Sequence, residues 1–115
     1  MDIASVDTHF EGKDPQVRAT YDHLITSLRH IGPVKEAPKG NSIHLENGSG
    51  FAGVYVRKDY ILFHFRTDYK IDNSRITKTE PLSARRFKHT VKLERASDVN
   101  DELLNWLKDA YKLAE

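Results

Sequence analysis

The chain has 115 residues, 38% of them hydrophobic and 10% aromatic, which supports a single domain spanning 1–115 with a modest core. Charged residues make up 30% but nearly cancel to a net +1, which argues against disorder, and the absence of cysteine excludes disulfides, thiol catalysis and cysteine-ligated zinc. No apolar run reaches membrane-spanning length, and residues 1–10 lack the basic and apolar regions of a secretory signal, so a soluble, cytoplasmic protein without membrane contact is expected.

Residues 5–10 suggest a short helical turn broken at Gly12. Asp14-Pro15 then reads as a helix start: an aspartate able to cap a free backbone N–H, and a proline whose missing N–H costs nothing in the first turn. Val17, Tyr21, Leu24, Leu28 and Ile31 recur at helical spacing, and Gly32-Pro33 ends the helix through a left-handed turn. Beyond Val34 the pattern changes to strands. Residues 42–46 alternate, Asn47-Gly48-Ser49-Gly50 is a hairpin turn, and residues 51–56 form the next strand. Residues 57–59 are a short turn before 60–65, the most β-prone segment, in which Ile61, Phe63 and Phe65 should face the helices and His64 the open side. The stretch 66–86 is polar, with a turn at 72–74, and its strand pairing is not legible. Residues 87–93 form a last strand, with His89, Val91 and Leu93 on one side.

A second helix follows, capped by Ser97 or Asp98, with Val99, Leu103, Trp106, Ala110 and Leu113 as its face and Leu104, Leu107 and Tyr111 widening it. Acidic residues near its start and lysines near its end suit the helix dipole. The economical fold is α+β: an antiparallel meander sheet with the N- and C-terminal helices packed on one face, and Leu24, Leu28, Leu103, Trp106 and Ala110 in a shared core.

Charge is unevenly distributed. Residues 57–95 hold 11 Lys/Arg against 5 Asp/Glu, a net +6, between segments of −2 and −3. Tyrosines 55, 60 and 69 are interspersed among these cations, a composition able to neutralise phosphates and stack on bases. The candidate ligand-binding residues are Arg57, Lys58, His64, Arg66, Arg85, Arg86 and His89. Gly48-x-Gly50-x-x-Gly53 matches the dinucleotide fingerprint in letters only, since it leads into a strand and not a helix. No catalytic set, metal site or cofactor motif is present, and Asp68 with Asp72 supplies too few oxygens for a calcium loop.

Val6-Asp7-Thr8-His9-Phe10-Glu11-Gly12-Lys13-Asp14-Pro15-Gln16-Val17-Arg18 resembles the opening of a bacterial family of small domains of unknown function. The similarity continues through Ile31-Gly32-Pro33, Ser42-Ile43, Phe51-Ala52-Gly53-Val54, Arg57-Lys58 and Leu62-Phe63-His64-Phe65. It closes with His89, Val91, Leu93 and the helix bearing Trp106, Ala110 and Tyr111. The resemblance implies no activity. Members occur alone, sometimes labelled predicted transport proteins, or appended to longer proteins that include restriction-type nucleases. A transporter conflicts with the lack of membrane spans. The order of elements is also similar to the frataxin-like sandwich, but Arg18 and Arg29 dilute the acidic character of the first helix, so iron binding is not implied.

Three functions are weighed. The first is a non-enzymatic binding module whose basic sheet face takes nucleic acid or another polyanion. The second is a small ligand-binding protein or enzyme whose pocket combines His64, His89 and nearby arginines, and it requires both histidines to reach one cavity. The third is a structural or protein-interaction domain, such as a homodimer formed through surplus apolar surface on the last helix.

Overall fold

The computed structural model describes residues 5–114, and the chain runs from a 3-10 turn, Asp7–Phe10, into helix α1, Pro15–Arg29. Asp14 holds the N-cap position, but its carboxylate makes no cap hydrogen bond. It turns instead to Lys58 Nζ at 2.9 Å, and the hydrogen bond from that ammonium holds the Asp14 carboxyl below its ordinary range. Gly32 likewise serves a different purpose from the one expected. Among the described residues only Gly12 and Gly48 have positive φ. At Gly32 a side chain would occupy the place of the Tyr111 ring, whose hydroxyl donates to the Pro33 carbonyl at 2.8 Å.

Six strands follow: β1 (Lys35–Pro38), β2 (Ile43–Asn47), β3 (Ser49–Val56), β4 (Ile61–Thr67), β5 (Ile76–Ser83) and β6 (Arg86–Leu93). They form one sheet in the order β1-β2-β3-β4-β6-β5, every neighbouring pair antiparallel. The meander holds from β1 to β4 and is broken once. Because β6 lies beside β4, residues 68–75 carry the chain past it to the far edge, where β5 begins. The two edge strands carry Lys35, Pro38, Lys78 and Pro81, residues that discourage another chain from adding to the sheet.

Alternation along β4 creates two unlike faces. Ile61, Phe63, Phe65 and Thr67 are fully buried on one side, while Leu62, His64 and Arg66 project from the other. Register extends the buried face to Ala52 and Val54 of β3 and to His89, Val91 and Leu93 of β6. A bulge opposite Leu45 and Glu46 gives β3 one extra residue, Phe51, whose ring meets Tyr111 edge-on at 5.4 Å.

Helix α2, Asp101–Leu113, starts at Asn100 and not at Ser97 or Asp98, since the Asn100 side chain accepts from the Leu103 N–H at 3.1 Å. Ser97 and Asp98 belong to a preceding 3-10 turn, where the Asp98 carboxylate accepts from the Glu94 N–H at 2.8 Å. The buried stripe of α2 is Leu103, Leu107, Ala110 and Tyr111, joined with Leu24 and Leu28 of α1 and the phenylalanine face of β4 in one core. Trp106 is a correction to the expected core: it sits at the flank, half-buried, its ring stacked on Phe65 at 6.2 Å. Leu104, Trp106 and Leu113 of α2 are half-buried, and the large hydrophobics exposed among the described residues are Tyr69 and Leu82. No described helix is long and apolar enough to cross a membrane.

Candidate functional site

With both helices on one side, the other face of the sheet is open. Strand alternation and register place His44 of β2, Gly53 and Tyr55 of β3, Leu62, His64 and Arg66 of β4, Lys88, Thr90 and Lys92 of β6, and Lys78 and Glu80 of β5 on it. At its centre β3 lacks a side chain. A Cβ at Gly53 would collide with the His64 ring, so the glycine lets this imidazole lie across its neighbour strand. The His64 ring then meets Tyr55 at 5.5 Å with a 40° tilt, making a shallow aromatic floor.

Cations border this floor. Arg66 and Lys88 are direct cross-strand partners, an arrangement of like charges that costs stability, and neither forms an ion pair among the described residues. The nearest acid in register is Glu80, opposite Lys88, and its carboxylate is engaged by Lys78 Nζ at 3.2 Å. That hydrogen bond holds Glu80 below its ordinary range and therefore ionised. The Arg57 guanidinium lies over Tyr55 at 5.7 Å, and Lys92 Nζ lies over Tyr60 at 4.5 Å. Two depressions of about 200 and 220 Å³ share Tyr55, His64 and Lys88; Arg66 and His44 line the first, and Leu62 and Lys78 line the second.

His64 is not one of the cations. Burial first, then the charges of Lys88 and Arg66, lower its pKa to about 4, so the ring is neutral at physiological pH. Its Nδ1 is buried with no hydrogen-bond partner among the described residues. A larger hollow of about 690 Å³ lies away from the sheet between α1 and α2, lined by Asp101, Lys108 and Lys112 beside Ile31 and Leu104. Its charges are mixed and it has no aromatic floor, so its size does not make it the better site.

The seven residues expected at a site do not stay together. Arg57, His64 and Arg66 border the floor, and Arg86 adjoins Arg66 at the end of the sheet near Leu82. Lys58 is turned away to Asp14, and Arg85 is exposed in the β5–β6 hairpin. His89 overturns the shared pocket expected for the two histidines. It is fully buried on the helix face, 5.5 Å from Phe65, while His64 occupies the opposite face. The cause was visible in the alternation of β6, which places His89 with Val91 and Leu93. Gly53 belongs to the letters of the nucleotide fingerprint, but a glycine inside a strand is itself a signal of close approach. His44, Tyr55, Lys78 and Lys88 complete the floor and its border. Among the described residues no group of three or more His, Cys, Asp or Glu is placed to hold a metal ion.

Compared with known families, residues 6–114 match the one described as Domain of unknown function (DUF5655), and the chain belongs to that family. No curated protein and no solved structure matches it.

Proposed function

We propose that this member of a family of unknown function is a non-enzymatic binding module whose open sheet face takes a nucleic acid. The observation that carries the reading is the Arg66–Lys88 pair: two cations held opposite each other, without a carboxylate partner among the described residues, beside the Tyr55–His64 floor. A like-charged pair on a solvated face weakens the sheet, and a phosphate between the two reverses that cost. A polyanion in general needs only the cations. The aromatic floor favours a ligand that also has bases.

Anisotropy titration of a labelled oligonucleotide at roughly 50 and 200 mM salt tests the proposal, because each phosphate neutralised releases counterions and steepens the salt dependence. Affinity should fall steeply with salt. Arg66→Ala and Lys88→Ala should each weaken binding and lower the slope by about one, while Arg85→Ala, at the hairpin, should change neither much. No binding at the lower salt concentration would remove the reading.

A further inference from the structure

Resting on that reading, we infer that the face takes a single strand and not a duplex, with one unpaired base lying on the Tyr55–His64 floor and its phosphate between Arg66 and Lys88. Three features at this point favour an unpaired base. The first is room: Gly53 leaves the space into which the His64 ring leans across β3, and the ring lies 5.5 Å from Tyr55, so the two form one aromatic surface. The second is neutrality. His64 sits among Arg66 and Lys88, yet burial keeps it uncharged, so at this spot it offers an aromatic surface and leaves phosphate attraction to its neighbours. The third is the chemistry shared by the two depressions. Tyr55 and His64 line both, beside Arg66 and Lys88 in the first and beside Leu62, Arg57, Lys78 and Lys88 in the second, where Glu80 is engaged by Lys78. Each sets an aromatic surface next to cations, which suits a base with its phosphate close by. A duplex keeps its bases stacked on one another and would present phosphates, sugars and base edges here, leaving the rings of Tyr55 and His64 without a base face to stack on.

The test uses the full chain and one 12-mer DNA carrying 2-aminopurine, offered as a single strand and annealed to its complement. The single strand should bind at least about tenfold more tightly, with quenching of the 2-aminopurine as it stacks. Tyr55→Ala should weaken single-strand binding by roughly tenfold and leave the salt slope unchanged, while Tyr55→Phe, which keeps the ring, should restore it. His64→Phe should bind as the wild type does, since the ring and not its nitrogens is used. Equal affinity for the two forms, or a Tyr55→Ala variant that is folded and binds normally, would overturn the single-strand inference while leaving a phosphate-binding face in place. Absence of binding to either form would overturn the nucleic-acid reading itself, and this inference with it.

Discussion

His64 and His89 lie in adjacent strands and point to opposite sides of the sheet, and burial lowers the pKa of both. Each ring also lies 5.5 Å from an aromatic neighbour at a similar tilt, but their hydrogen bonding differs. The Thr67 hydroxyl donates to the Tyr69 carbonyl at 2.6 Å and so accepts from His89 Nε2 at 2.9 Å, with the same carbonyl 3.2 Å from Nε2. Nδ1 of His89 takes the Thr79 hydroxyl at 3.3 Å, a pattern that fits the neutral tautomer protonated at Nε2. One imidazole thus joins β4, β5 and the chain crossing between them. His64 lies over a glycine, beside cations without acid partners, with Nδ1 unpaired among the described residues. A buried histidine whose nitrogens are both satisfied is part of the scaffold. One that is neutral and incompletely bonded on an open face is the one we propose a ligand covers.

His89→Ala should have the largest effect on stability. It strands the Thr79 hydroxyl, removes the donor to Thr67 and opens a cavity beneath the crossover, at a cost of about 2–4 kcal/mol. Denaturant melts would show this as a lower midpoint, while the variant that remains folded should bind oligonucleotide with unchanged affinity. A stable H89A protein with impaired binding would reverse the roles assigned to the two histidines.

Gly53→Ala sharpens the comparison from the other side. The added methyl collides with the His64 ring, and since the ring is at the surface it can swing outward, so the expected cost is a smaller ~1–3 kcal/mol. The His64 pKa should then rise toward its ordinary value as the ring regains water, which an NMR titration of its ring protons would register. No change in that titration would mean that the glycine does not set the ring's position.

Acid should act through the same ring. The folded pKa of His64, about 4, lies below the ordinary 6.5. Between these values the unfolded chain takes up a proton that the folded chain refuses, so the stability contribution is complete above pH 6.5 and declines as the pH falls toward 4. His64→Phe keeps a ring over Gly53 without the proton site. Its melting temperature should therefore fall less than that of the wild type between those pH values, with His89 responsible for part of the remaining slope. Parallel pH profiles for the two proteins would contradict this.

The elements built by packing were legible in the sequence, and those built by context were not. The stripes of α1 and α2 and the alternation of β4 follow from apolar spacing, and they placed Phe63 and His64 on the correct sides. β1 and β5 carry almost no apolar signal, because edge strands are shaped to resist pairing, so the insertion of β6 beside β4 had no trace in the pattern. Asp14 and Asp98 had the chemistry of caps, but Lys58 and the Glu94 and Arg95 N–H groups compete for their carboxylates. At the candidate site the cations were recognisable by type. Their grouping depends on register, which alone brings Arg66 to Lys88 and sends Lys58 and Arg85 elsewhere.

The central claim is that the open face, and not the helical side, is the binding surface. Backbone amide shifts of the isotope-labelled chain, followed while an unlabelled single-stranded oligonucleotide is added, test it most directly. Perturbations should centre on Gly53, Tyr55, His64, Lys88 and Thr90 and leave the hollow between α1 and α2 unchanged. Shifts concentrated instead at Ser27, His30, Leu104 and Lys108 would place binding between the helices and contradict the account.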